Sequence, residues 1–154
     1  TTIVAVVFHD STLTVAHVGD SRLYCYRRGV LSQVTEDHSM VQELLRRGLM
    51  TPDEARTSLN RNLVTRALGI DPLVEVDVRE QPFEAGDIYL LCSDGLNDVL
   101  LDEEIATILA QHPDSLESAA QQMITEVNAR GGPDNVSIVL IRTDGQFSRT
   151  KASR

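Results

Sequence analysis

The stretch TIVAVVFHDSTLTVAHV, residues 2–18, decides the fold class. Two runs rich in Val, Ile and Thr, 2–8 and 13–18, flank His9-Asp10-Ser11-Thr12, whose residues supply turn chemistry, so the segment reads as a β-hairpin. Two more β-prone runs follow, SRLYCYRRG (21–29) and VLSQVT (30–35), broken at Arg28-Gly29. The first third of the chain therefore reads as an antiparallel meander.

The pattern then changes. Met40, Val41, Leu44 and Leu45 fall at helical spacing and Gly48 follows as a stop. A second helix is expected from Thr51, with Pro52 at its first position and Glu54 completing a capping box. Residues 39–62 read as an exposed helical insertion. Strand character returns at 74–80 and 87–93, around the turn Glu84-Ala85-Gly86-Asp87. Leu101-Asp102-Glu103-Glu104 opens a helix that ends at His112-Pro113. A longer helix spans Ser115 to Arg130 and is closed by Gly131-Gly132; a last strand covers 136–142, before a polar tail, 144–154, expected to be disordered. Strands in runs with helices inserted between them indicate a sheet-rich α+β fold, not a doubly wound parallel sheet. The 154 residues suit one domain.

Composition excludes several function classes. The net charge is −9 and the 14 Lys and Arg form no long run, which argues against nucleic acid as a partner. No apolar stretch approaches the roughly 18 residues of a membrane span, and no basic region precedes the first apolar run. Cys25 and Cys92 sit in strand-like stretches without metal-ligand spacing, so both read as reduced core thiols, and the expected location is cytoplasmic.

Three acidic positions share a design, in which a β-prone run meets Asp beside Gly, Asn or Ser. They are Asp20 in HVGDSR (17–22), Asp94 in LLCSDGLNDVL (90–100) and Asp134 in GGPDNVSIVL (131–140). Carboxylates gathered at a sheet rim repel unless protons or cations neutralise them, and oxygen-only ligand sets suit Mg²⁺ or Mn²⁺. Asp-Gly and Asp-Asn are also common turn formers, so each motif taken alone reads first as a turn. Among the histidines, His9 and His112 read as surface residues and His17 as packed; His38, in TEDHS (35–39), is the one beside polar loop residues suited to a site. Ser21 and Ser93 lack the Gly-x-Ser-x-Gly setting of a nucleophile elbow. No phosphate-cradling Gly-rich loop precedes a helix, which leaves nucleotide binding a distant reading.

Taken in order, HVGDSR, TEDHS, TRALG (65–69), LLCSDGLNDVL and GGPDNVSIVL resemble the bacterial metal-dependent serine/threonine phosphatases of type 2C, also called the PPM family, over residues 1 to about 143. The resemblance implies an antiparallel β-sandwich flanked by helices, with the metal centre at one end and residues 39–62 as a flap beside it. It implies Asp94 and Asp134 as carboxylates of a two-metal core and Asp20 as a ligand of a third, weaker ion, with Gly95, Asn135 and His38 as their supports. The implied reaction is attack of a water activated by two Mn²⁺ or Mg²⁺ ions on the phosphorus of phosphoserine or phosphothreonine. Phosphoproteins would be the substrates, and a serine/threonine kinase would act in the same pathway.

The chain departs from the family pattern in two places. The N-terminal Asp-Gly motif that bridges both metals is missing, and Ser58-Leu59 stands where bacterial members have His-Pro. The expectation is a C-terminal portion of a longer phosphatase, itself nearly inactive, with sheet edges that can pair with another chain. The alternative is a non-catalytic phosphatase-like module that binds or regulates proteins.

Overall fold

The computed structural model describes residues 1–58, 60 and 63–144. The polar tail, Asp144 apart, and Leu59, Arg61 and Asn62 of the expected flap lie outside the described residues.

Strands β1 (Ile3–His9) and β2 (Thr12–Val18) form the expected hairpin. Its loop is tighter than four residues: His9 pairs with Thr12, leaving Asp10 and Ser11 as the turn. Asp10 takes φ +51°, a left-handed angle that Asp tolerates better than most residues. Strands β3 (Arg22–Arg27) and β4 (Val30–Gln33) form a second two-residue hairpin, in which Arg28 (φ +53°) and Gly29 (φ +86°) supply the left-handed pair.

These hairpins are not one meander. β2 leaves its sheet at Val18, and the chain crosses to a second sheet before β3. One sheet has the order β1-β2-β5 and the other β4-β3-β6-β7, where β5 is Asp77–Pro82, β6 Ile88–Cys92 and β7 Ile138–Arg142. All pairings are antiparallel.

The sheets pack face to face. Leu13 and Val15 from β2, Leu23 and Cys25 from β3, and Tyr89 from β6 fill the space between them, with Val4, Val6 and Phe8 of β1 closing one side. The alternate residues Tyr24, Ile88, Leu90 and Cys92 point the other way, into a second core under the helices. The run IYLLC is continuously apolar because β6 is covered on both faces, where a half-exposed strand would alternate.

Helices α4 (Asp102–Gln111) and α5 (Leu116–Ala129) cover that outer face. Ala119, Met123 and Val127, four residues apart, form the buried stripe of α5. Glu104 joins the two helices: it accepts from the Leu101 N–H and pairs with Arg130 at 2.7 and 3.0 Å. The other sheet carries no helix on its outer face among the described residues, and Val7 and Val78 there are 62% and 64% exposed.

The insertion folds as read. Helix α1 (Met40–Arg46) is capped by Ser39, and α2 (Pro52–Thr57) opens with the complete Thr51–Glu54 capping box. An additional one-turn helix, α3 (Asp94–Asn97), begins directly after β6. No helix is long and apolar enough to cross a membrane among the described residues.

Candidate metal centre

Strand register brings the acidic loops together. Arg22 pairs with Cys92 and Cys92 with Ile138, so the start of β3, the end of β6 and the start of β7 lie side by side. Asp20 precedes the first, Asp94 follows the second and Asp134 precedes the third. All three loops therefore emerge at one end of the four-stranded sheet. The end of β4 arrives there too, since Gln33 pairs with Tyr24, and it delivers Asp37 and His38.

The Asp94 and Asp134 loops are locked to each other. Ser93 N–H donates to Ser137 O (3.1 Å), Ser93 Oγ donates to Asn135 O (3.2 Å), and Ser137 N–H donates to Ser93 Oγ (3.0 Å). Gly95 makes this contact feasible, because a Cβ there would stand 2.4 Å from the Asn135 carbonyl oxygen. Asp94 Oδ1 accepts from the Gly95 N–H at 2.9 Å, and Asp134 Oδ1 from the Asn135 N–H at 2.7 Å. The turn chemistry of both Asp residues is thus real, and each carboxylate keeps lone pairs for a further partner.

Asp20 stands on the crossover between sheets. Gly19 before it has φ +109° and lies against Thr2, where a Cβ would approach the Thr2 methyl within 2.3 Å. His38 clamps this loop: its Nδ1 accepts from the Gly19 N–H (3.0 Å) and its own N–H donates to Gly19 O (2.9 Å). Burial, and next the Asp94 carboxylate, push the pKa of Asp20 up. Asp20 and Asp94 line one cavity of about 410 Å³ together with Arg22, Asp37, Asn97 and Asp98. Arg22 is already held by Asp37 through contacts of 2.7 to 3.0 Å, and its Nη1 donates to Tyr24 Oη.

Asp37 and Asp98 complete the acidic wall and were not singled out from sequence. Asp98 was legible there, since it falls four residues after Asp94 and its N–H donates to Asp94 O (2.9 Å). The one-turn helix between them is too short for a periodicity signal. Asp134 does not line this cavity; it sits exposed in the loop bonded to Ser93.

The donor set is three carboxylates, none paired with a cation among the described residues, at one sheet end. That set fits a hard divalent ion and not a soft one. A different trio, His17, His38 and Asp77, has ligand atoms within 4.8 Å of one another. Arg66 occupies that spot, however, with Nη1 2.7 Å from Asp77 Oδ1 and 3.2 Å from His38 Nε2. The imidazoles of His17 and His38 stack at 4.6 Å. Burial depresses the pKa of His38, against the pull of Asp77. A guanidinium already supplies the positive charge there, so the trio is a structural clasp between the Asp20 loop and β5.

Residues 1–136 match the family model Protein phosphatase 2C, and the chain belongs to that family. It is 42% identical over 144 residues to the serine/threonine phosphatase stp of Listeria monocytogenes, covering 94% of this chain and 57% of that protein. It is 44% identical over 140 residues to the serine/threonine protein phosphatase PstP of Mycobacterium tuberculosis, covering 91% of this chain and 27% of that protein. The crystal structure of Mycobacterium tuberculosis PstP/Ppp superposes with a TM-score of 0.88 at 39% identity, covering 93% of this chain and 60% of that one. A second PstP structure, of the catalytic domain in complex with two manganese ions, gives 0.80 at 41% identity, covering 93% and 59%. The chain thus spans somewhat over half the length of the Listeria relative and about a quarter of the mycobacterial one.

Proposed function

We propose that this chain is the C-terminal part of a metal-dependent phosphatase acting on phosphoserine and phosphothreonine proteins, with residues 1–143 in the catalytic domain and 39–62 as its flap. The observation that carries this reading is the register Arg22–Cys92–Ile138, which sets Asp20, Asp94 and Asp134 at one end of one sheet. Family membership supports it.

In this reading Asp94 and Asp134 hold two Mn²⁺ or Mg²⁺ ions and Asp20 helps to hold a third. Such ions, when bound, acidify a water to a nucleophile and neutralise charge on the phosphoryl oxygens. The chain's own groups position the ligands. Ser93 and Gly95 fix the spacing of the Asp94 and Asp134 loops through Asn135 and Ser137. His38 fixes Gly19 and hence Asp20. Arg22 keeps Asp37 paired, so the carboxylates left to attract cations are those beside the Ser93–Ser137 junction.

The bare outer face carrying Val7 and Val78 and the unpaired edge of β1 suit further strands and helices from the N-terminal part of the longer protein, or from a second chain. A cytoplasmic setting with a serine/threonine kinase upstream follows from the substrate class. The test is phosphate release from a phosphothreonine peptide by the full-length protein with Mn²⁺. Chelator-sensitive turnover that falls at least 100-fold in Asp94→Ala and Asp134→Ala is the expected result. Equal turnover in these variants would overturn the reading.

A further inference from the structure

The cavity that holds Asp20 and Asp94 extends well beyond them. Its floor is apolar and comes from two elements: Val41 and Leu45 of α1 with Pro52 and Ala55 of α2 on one side, and Leu100 and Leu101 on the other. Its rim continues into the first turn of α4, where Asp102 and Glu103 face it. At about 410 Å³ it lies within the size range of ligand sites, roughly 300–1,000 Å³.

Charge on this rim is one-sided. Arg22 is the one cation lining the cavity among the described residues, and Asp37 holds it. The start of α4 is closed by Glu104, which takes the Leu101 N–H and Arg130. Asp102 and Glu103 make no side-chain hydrogen bond or ion pair among the described residues.

We propose that this cavity binds the polypeptide flanking the phosphorylated residue, and that it selects an apolar side chain for the floor and Lys or Arg for Asp102 and Glu103. The inference rests on the phosphatase reading and adds to it the substrate class: phosphoproteins whose modified residue has basic and aliphatic neighbours. Charge complementarity sets the sign of the selection. An acidic flank meets like charges on every side of the rim, whereas a basic flank meets carboxylates at its α4 end. The flap helices supply half of the floor, so the flap takes part in selection through Val41 and Leu45.

The experiment uses the full-length protein with Mn²⁺ and two phosphothreonine peptides, one flanked by Leu and Arg and the other by Ala and Glu, with 4-nitrophenyl phosphate as a substrate lacking flanks. Wild type is expected to favour the basic peptide about tenfold in kcat/KM, and that ratio is expected to fall toward unity in Asp102→Lys/Glu103→Lys. Raising salt from 0.05 to 0.5 M, conditions chosen because the Debye length shrinks across them, is expected to lower the wild-type ratio as well. Turnover of 4-nitrophenyl phosphate with equal kcat/KM for both peptides would overturn the substrate inference alone. So would a ratio that survives the double substitution. Absence of metal-dependent turnover on all three substrates would instead bring down the phosphatase reading.

Discussion

Gly95→Ala tests whether the Asp94 and Asp134 loops form one rigid unit. An added Cβ would lie 2.4 Å from the Asn135 oxygen and 3.0 Å from its carbonyl carbon, whereas ordinary contact begins near 3.4 Å. The obstacle is backbone, so relief requires the Asn135 peptide to move by about 1 Å, a shift at which neighbouring packing also suffers. That movement strains the Ser93 Oγ–Asn135 and Ser137–Ser93 Oγ hydrogen bonds, both anchored on the same side chain. Overpacking costs about 1–3 kcal/mol, and the two bonds are worth about 1 kcal/mol each. The better helix propensity of Ala returns about 1 kcal/mol within α3. The net loss is therefore about 2–4 kcal/mol, or roughly 5–15 °C in Tm for a chain of this size. Urea unfolding of the 154-residue chain followed by circular dichroism measures it. A variant within about 0.5 kcal/mol of wild type would refute the contact and with it the fixed spacing of the two loops.

Two further predictions concern buried groups away from the site. Asp87 is 1% exposed; burial alone would raise its pKa, but Arg27 at 2.6 and 2.7 Å and the Glu84 N–H hold it below the usual carboxylate range. Its stabilising contribution is thus complete above the ordinary value of 3.8 and lost as pH falls through the lower native value, so acid unfolding below pH 3.8 should be shallower in Asp87→Asn than in wild type. Parallel acid-unfolding curves would contradict this. Cys25 and Cys92 are buried free thiols, and burial pushes the Cys92 thiol up to about 12. Neither should react with a disulfide reagent at pH 8 in the native state, and both should after denaturation; rapid labelling of the folded chain would show the core to be open.

Much of this was legible in the sequence where a local signal suffices. The Thr51–Glu54 capping box and the Ala119–Met123–Val127 stripe both carry their structure in neighbouring residues. Sheet membership was not legible in the same way. Nothing local in LTVAHV or RLYCYR says that β2 will pair with β5 and β3 with β6, because those partners are chosen by which apolar face each strand can bury against a distant one. The strand read at 74–80 shifts to Asp77–Pro82 for the same reason: its position is set by pairing with Thr12–His17. At the site, the three Asp motifs were visible as strand ends, but their convergence depends on register. Asp37 and its lock on Arg22 depend on the crossover that swings TEDHS beside GDSR.

The most direct test of the central claim is Mn²⁺ binding by the full-length protein, measured by isothermal titration calorimetry on wild type and on Asp94→Asn and Asp134→Asn. If Asp20, Asp94 and Asp134 form the metal end of this sheet, wild type binds at least two ions and each substitution weakens binding by about 10-fold or more. Unchanged Mn²⁺ stoichiometry and affinity in both variants would show that these carboxylates are turn residues and nothing more.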